Sequence, residues 1–128
     1  MTMGFALMAL AAEAALPNRV PLRTIPIAPA KTVARVEATR VDFAPGQIMP
    51  RHLHTVPVIC FAAKGAFLTR IGDESEARLE EGQVSIEPAQ TVVHYFRNAS
   101  TSAPAQLLCA ILAGADDKQL NVMLPEPR

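Results

Sequence analysis

Proline and glycine divide this chain into short segments. Its 128 residues include eleven prolines and six glycines, together with one tyrosine and no tryptophan. The segments between them are rich in Val, Ile, Leu, Phe and Thr, which favour strands. Because turn residues bound each run, the pattern predicts an all-β protein built as a sandwich or a jelly roll. The length suits a single domain.

Two histidines, His52 and His54, lie two residues apart in one of the predicted strands. Residues at this spacing point to the same face of a sheet, so both imidazoles can reach one point. Imidazole nitrogens bind zinc, copper, iron and nickel. The pair alone is equally compatible with two solvated side chains, because His-x-His is a short motif.

The residues around this pair resemble the first motif of the cupin superfamily. That motif reads Gly, five residues, His-x-His, three or four residues, Glu, six residues, Gly. Val58 stands where the motif has its glutamate. The remaining positions match at Gly46, His52, His54 and Gly65.

A second block of the chain resembles the second cupin motif, which ends in His, three residues and Asn. Gln90 replaces a glycine of that motif, and the stretch from proline to histidine is one residue longer than usual. The matching residues are Gly82, Pro88, His94 and Asn98. The resemblance implies a cupin-type double-stranded β-helix, a jelly-roll barrel, over residues 32–113.

The resemblance also implies a metal site formed by His52, His54 and His94, without the carboxylate of the family. Such a site would hold one divalent transition metal ion (Fe, Zn, Ni or Mn) and leave coordination positions open. The expected function is that of a metal-binding cupin acting on a small, partly apolar organic substrate. With iron the expected activity is that of a dioxygenase, an oxidoreductase; isomerase and lyase activities stay open, as does a non-enzymatic metal- or ligand-binding module.

The wall of the expected pocket follows from strand alternation. Val56, Val58 and Cys60 fall on the same face as the two histidines, and Phe96 falls on the face of His94. These side chains predict a mostly apolar cavity. Gln90, in the loop before His94, is a candidate for a weak oxygen ligand or simply for a solvent-facing side chain.

Cys60 and Cys109 each lie inside an apolar run. Two buried free thiols are the simpler interpretation, and the sequence does not determine whether they pair. A metal close to Cys60 would lower the pKa of its thiol, which leaves a thiolate role open.

Three regions are expected. Residues 1–31 are an apolar arm followed by a proline-rich linker, residues 32–113 form the barrel, and residues 114–128 are a tail that can supply an edge strand. Within the barrel, the apolar residues of the first strand change from even-numbered to odd-numbered positions near Thr39 and Arg40. This change predicts a bulge. Resemblance to small single-domain cupins implies a homodimer, and the apolar arm together with residues 56–63 offers a surface for it.

The balance of charges argues against nucleic acid and anionic membranes as partners. It does not determine the cellular compartment. Twelve basic residues balance twelve acidic ones, so no charge footprint for nucleic acid or an anionic membrane is present. The apolar stretch from Met3 to Leu16 is too short to span a bilayer. We interpret it as an arm, with a degraded signal peptide as the alternative. The expected location is therefore cytoplasmic. If the stretch is a signal peptide, the protein is periplasmic or secreted.

Overall fold

The computed structural model describes residues 1, 3, 4, 6 and 15–128. The predicted apolar arm lies mostly outside these residues. The described part of the chain contains strands and loops and no helix, hence none long and apolar enough to cross a membrane. The strands are β1 (Arg35–Phe43), β2 (Ile48–Met49), β3 (His52–His54), β4 (Val58–Lys64), β5 (Phe67–Ile71), β6 (Ala77–Leu79), β7 (Val84–Glu87), β8 (Val92–Asn98), β9 (Ala105–Ala113) and β10 (Asn121–Met123).

The strands form two antiparallel sheets. The four-stranded sheet has the order β1-β9-β4-β7, and the other has the order β10-β3-β8-β5-β6, with β2 also pairing to β8. Strands adjacent in space are mostly distant in sequence, as in a jelly roll. Each sheet turns one face towards the other, so alternate side chains of a regular strand enter a common interior.

Strand β1 is continuous, and the bulge predicted near Thr39 and Arg40 is absent. Its pairing with β9 runs without a break from Arg35, opposite Ala113, to Phe43, opposite Ala105. The switch of the apolar residues between even and odd positions has another cause. Phe43 enters the interior, whereas Val36 lies on the outer face of the sheet with 54% of its surface exposed.

Three phenylalanines form the centre of the interior. Phe67 and Phe96 are almost completely buried, and Phe43 is 3% exposed. The ring of Phe67 packs edge-to-face against both others, with centroids 5.1 Å from Phe43 and 5.2 Å from Phe96. Such contacts add to the free energy gained by burying the rings. This cluster fills one end of the space between the sheets, and the candidate site lies beside it.

The segments before and after the barrel are tied together, close to the start of β1 and the end of β9. Lys31 Nζ lies 2.6 Å from Asp117 Oδ2. Arg35 donates hydrogen bonds to the carbonyls of Gly114 and Asp117. The hydrogen bond from Lys31 and another from the Gly114 amide hold the pKa of Asp117 below its usual value. The tail is thereby directed along the barrel, where its residues form β10 next to β3.

Candidate metal centre

Three ligand-type side chains converge between the sheets. One ligand atom each of His52, His54 and Glu87 lies within 4.8 Å of the other two. All three residues are buried, with exposures of 6%, 9% and 4%. Burial of two imidazoles and a carboxylate together is costly unless the groups pair or bind an ion. This cluster is the strongest candidate functional site in the described part of the chain.

Strand β3 supplies the two histidines. Its burial pattern alternates, so that His52 and His54 enter the interior and Leu53 does not. The imidazole centroids are 4.9 Å apart. The structure therefore brings together the pair that the His-x-His spacing predicts.

Glu87 reaches the cluster from β7. In the pairing of β4 with β7, Glu87 lies opposite Val58, the residue at the glutamate position of the first cupin motif. Side chains of directly opposed residues share one face of a sheet. Glu87 Oε2 lies 2.7 Å from His54 Nε2, so a carboxylate is present although the motif lacks it in β4.

Oxygen acceptors orient both imidazoles. His52 Nδ1 donates to the Pro50 carbonyl at 2.7 Å, and His54 Nδ1 donates to Asn121 Oδ1. Because carbonyl and amide oxygens can only accept hydrogen bonds, the Nδ1 atom of each histidine carries the proton. The Nε2 atoms are then the nitrogens available to a metal, which is the usual arrangement of metal-binding histidines.

The pKa of His54 is raised above 6.5. Burial acts to lower it, but the hydrogen bond and negative charge of Glu87 favour the protonated ring, as do Asn121 and the Leu120 carbonyl, and together they outweigh burial. Without a metal, the protonated His54 ring can donate from Nε2 to Glu87 Oε2 across their 2.7 Å contact. A metal ion bound here would have to displace that proton.

The cluster lies in the wall of a cavity of 230 Å³. Apart from the cluster, its lining is mostly apolar. Of the residues predicted for the pocket, Val58, Cys60 and Phe96 line it. Val56 is buried in the core and, like Gln90, is not part of the lining.

His94 lies outside the cluster, which corrects the three-histidine set. The pairing of β8 with β5 shifts between Tyr95, opposite Arg70, and Val93, opposite Ile71. Val93 and Phe96 both enter the core, so this bulge turns the two residues between them away from the interior. His94 Nε2 instead contacts the Gly72 carbonyl at 3.1 Å. Simple alternation, which groups His94 with Phe96, is wrong here.

The two cysteines form a disulfide, contrary to the expectation of free thiols. Cys60 of β4 and Cys109 of β9 are directly opposed in the register of the two strands. Both sulfur-bearing residues line the cavity. A thiolate role for Cys60 is therefore not available in this structure.

Gln90 adopts a left-handed backbone conformation, with φ of 58°. Glycine adopts this conformation without strain, which accounts for the glycine of the motif at this position. The amide of Gln90 donates to the His54 carbonyl at 2.8 Å. The residue supports the histidine strand through its backbone, and its side chain is not part of the cavity wall.

Glu87 and Asn121 were missed as site residues by reasoning from the sequence. Glu87 was visible as the one acidic residue of the strand Val84–Glu87, directly before Pro88. Asn121 carried no comparable signal. Its position opposite His54 depends on the pairing of β10 with β3, which links segments far apart in the chain.

The family model of the cupin domain matches residues 39–111, more than half of the chain. This range contains both histidines and Glu87. The fold and the match agree, and the predicted cupin-type barrel is confirmed. The protein belongs to the cupin domain family.

Several solved structures are similar in fold. An oxalate oxidase in complex with the substrate analogue glycolate has a TM-score of 0.59 and 22% identity, covering 70% of this chain and 46% of that chain. The DMSP lyase DddQ from Ruegeria pomeroyi DSS-3 has a TM-score of 0.57 and 18% identity, covering 69% and 42%. The chain thus spans less than half the length of either protein.

A third structure, TT1209 from Thermus thermophilus, shares 31% identity. It has a TM-score of 0.54, and the match covers 64% of this chain and 76% of that chain. A sequence comparison with functionally curated proteins finds no match. The comparisons therefore establish the family and the fold.

Proposed function

We propose that this cupin binds one divalent transition metal ion through His52, His54 and Glu87 and acts on a small, partly apolar organic substrate. The observation that carries the proposal is the convergence of these three buried side chains within 4.8 Å. Two imidazoles and one carboxylate suit non-haem iron(II), and they also suit zinc, nickel or manganese.

The donor set fits a metal ion in charge as well as in geometry. Three neutral histidines would leave the full double charge of a divalent ion in an apolar cavity. The Glu87 carboxylate compensates half of it, which lowers the cost of placing the ion there. Three protein ligands leave positions for substrate, and a bound ion would polarise a substrate oxygen or, as iron, support oxygen chemistry.

The residues of the chain have separate tasks in this proposal. The Pro50 carbonyl and Asn121 hold the imidazoles in one tautomer and one orientation. Phe96, Val58 and the disulfide line the cavity and restrict water. A proton on His54 Nε2 has to leave before a metal binds there, so the metal affinity should fall as the pH decreases.

The cavity restricts the substrate class. A volume of 230 Å³ is below the usual range for drug-sized ligands. Its lining offers apolar contacts and few hydrogen-bonding groups outside the cluster. A small organic molecule with one oxygen group directed to the metal and an apolar remainder fits these limits. Oxidation of such a molecule by a dioxygenase is the leading activity.

The test begins with the metal. Protein purified without an affinity tag is analysed for bound elements and titrated with iron(II), zinc, nickel and manganese. We expect one equivalent per chain in the wild type and in His94→Ala, and loss of binding in His52→Ala and Glu87→Gln. Equal metal content in all four proteins would contradict the site.

Turnover is tested on the protein that binds metal. Oxygen uptake by the iron-loaded form on a panel of small phenols, diketones and thiols would support a dioxygenase. Tightly held metal with no turnover would instead favour the non-enzymatic binding module. Melting temperatures with and without each metal separate both outcomes from a protein that binds none.

A homodimer is part of the proposal. On the outer face of the four-stranded sheet, Phe61 and Leu108 are cross-strand neighbours with 40% and 45% of their surfaces exposed. On β1 the residue opposite Leu108 is the exposed Arg40, and Val36 lies further along the same face, opposite Leu112. An exposed apolar pair with a charged border suits a second copy of the same surface. Light scattering should give a dimer for the wild type and a monomer for Leu108→Lys, whereas Lys64→Ala should remain dimeric.

The disulfide supports a periplasmic or secreted location over the cytoplasmic one. Disulfides persist in oxidising compartments and are rare in the cytosol of most organisms. Thiol labelling of protein taken directly from cells tests this. Complete labelling of Cys60 and Cys109 without prior reduction would argue for a reducing compartment.

A further inference from the structure

The cavity that contains the two histidines, the histidine cavity, is open to solvent on one side. Three of its lining residues are exposed, namely Thr39, Asn121 and Met123, and the others are buried or half-buried. Thr39 belongs to β1, an edge strand of the four-stranded sheet, and the other two belong to β10, an edge strand of the second sheet. The opening therefore lies along the seam between β1 and β10.

This seam is held at one end only. Arg35, the first residue of β1, donates hydrogen bonds to the carbonyls of Gly114 and Asp117, which precede β10. Among residues 15–128, no backbone hydrogen bond joins β1 directly to β10. Thr39 and Met123 lie further along the two strands, so side chains and not a strand pairing limit the opening there.

Met123 lies beside a histidine of the candidate metal centre. It is directly opposite His52 in the pairing of β10 with β3, and directly opposed side chains share one face of a sheet. Both residues line the cavity. Met123 is 59% exposed and His52 is 6% exposed. The methionine therefore lies at the solvent end of the cavity, and the imidazole lies at its interior end.

The opposite side of the seam leads to the disulfide. Thr39 is directly opposite Cys109 in the pairing of β1 with β9, and Cys109 is directly opposite Cys60 in the pairing of β9 with β4. Cys109 is half-buried, whereas Cys60 is 2% exposed. A molecule that enters through the seam thus meets Cys109 before Cys60.

The two rim side chains differ in stiffness. Threonine is branched at Cβ, which restricts its first side-chain torsion. Methionine is unbranched and has three rotatable bonds, so it adapts to its surroundings. Thr39 therefore provides a fixed side of the opening and Met123 an adjustable one. A small molecule needs little displacement of the methionine, whereas a large one needs the side chain to leave the opening.

We infer that the seam between β1 and β10 is the entrance to the histidine cavity and that Met123 is a specificity-determining residue, which limits the size of the molecules that enter. The inference deepens the proposed function and rests on it for the reaction inside the cavity; passage through the seam requires no metal. Met123 lies beyond the match to the cupin domain, residues 39–111, so the C-terminal tail sets this limit.

The test uses the disulfide as a reporter of entry. Metal-free, full-length protein is reduced with three uncharged thiols of increasing size, mercaptoethanol, thioglycerol and thioglucose. The thiolate of the reagent attacks Cys109 Sγ, the S–S bond breaks, and Cys60 leaves as a thiolate that takes a proton from solvent. A second reagent molecule attacks the mixed disulfide, which frees Cys109 and releases the oxidised reagent. Each rate is divided by the rate on an unstructured peptide disulfide, which corrects for the reactivity of the thiol.

In the wild type, the corrected rate should fall as the thiol becomes larger. Met123→Ala should raise the rate with thioglucose roughly 10-fold, the effect of lowering an activation free energy by about 1.4 kcal/mol, and should change the rate with mercaptoethanol much less. The matched control is Val122→Ala, in the same strand but outside the cavity lining. It should behave as the wild type, which excludes loosening of β10 as the cause.

Three results would overturn the inference. They are corrected wild-type rates that do not depend on thiol size, an unchanged size dependence in Met123→Ala, and equal acceleration in Met123→Ala and Val122→Ala. Metal content is measured separately on each variant. Reduction rates that follow the expectation in a protein that binds no metal would contradict the proposed function and support the entrance.

Discussion

Glu87 lies directly opposite Val58 in the pairing of β4 with β7. The carboxylate that the first cupin motif carries in the strand after the histidines is thus present one strand away, and it contacts His54 at 2.7 Å. The composition of the cluster depends on the register of two strands and not on a single stretch of sequence. A slip of that register by one residue would turn Glu87 to the other face.

Removal of Asn121 should weaken metal binding without unfolding the protein. Asn121 is exposed, and its Oδ1 accepts the Nδ1 proton of His54. Partners of this kind contribute about 10- to 100-fold to metal affinity. We expect a loss of that size in Asn121→Ala, measured by competition with a chromophoric chelator. Asn18→Ala, at another exposed asparagine, should bind as the wild type; equal affinity in both variants would contradict the orienting role.

The His54–Glu87 pair should be visible in the pH dependence of the metal-free protein. The pKa of His54 is raised, so the folded state binds this proton more tightly than the unfolded state does. Its contribution to stability is complete below pH about 6.5 and is lost as the pH rises through the raised value. NMR titration should show a lower His54 pKa in Glu87→Gln than in the wild type.

The same titration has an internal control. His94→Ala should leave the His54 pKa unchanged, because His94 contacts the Gly72 carbonyl and not the cluster. A wild-type His54 pKa in Glu87→Gln would show that the carboxylate does not stabilise the imidazolium.

Reduction of the disulfide should destabilise the barrel. Cys60 and Cys109 are 49 residues apart in sequence, and a crosslink across a loop of this length restricts the unfolded chain. The expected loss is about 2–4 kcal/mol in the free energy of unfolding, measured by denaturation with and without reductant. A Cys60→Ala/Cys109→Ala variant should unfold at the same denaturant concentration in both conditions. Identical wild-type curves with and without reductant would rule out the crosslink.

Asn98 should be important for stability and not for metal binding. It is 2% exposed, and its Nδ2 donates to the carbonyls of Ala44 and Ala103 at 3.1 and 2.8 Å. Its Oδ1 accepts from the Ser100 amide. Asn98→Ala leaves these backbone groups without their partner, and we expect a cost of about 2–4 kcal/mol.

Two comparisons make the Asn98 prediction specific. Asn98→Asp keeps the acceptor for Ser100 and loses both donors, so it should also be destabilised, as measured by urea unfolding. Asn121→Ala, at an exposed position, should lose much less. A cost below that of Asn121→Ala would refute the bridging role of Asn98.

Local patterns predicted those features that depend on one strand at a time. The alternation in β3 correctly places both histidines in the interior, and the alternation in β4 correctly places Cys60 in the same cavity. The turn residues between the strands predicted a sandwich or jelly roll, and the resemblance to the two cupin motifs implied the barrel. The positions of the side chains follow from the two-residue period of a strand.

Features that depend on the pairing of distant strands could not be obtained in this way. The contact of Glu87 with His54 and the opposition of Cys60 and Cys109 both require a register that no short segment encodes. The bulge in β8 also depends on the pairing of strands and is not encoded in a short segment. It is defined by the pairing with β5, and its effect is to reverse the orientation of His94.

Through strand β10, the C-terminal tail of this protein contacts a histidine of the candidate metal centre. The match to the cupin domain ends at residue 111, whereas the oxygen that orients His54 belongs to Asn121. Substitutions in the tail can therefore change the basicity of His54, a proposed metal ligand, while every motif residue is retained. Two cupins with identical motifs could differ in metal preference through this strand alone, and a survey confined to the motifs would not detect the difference.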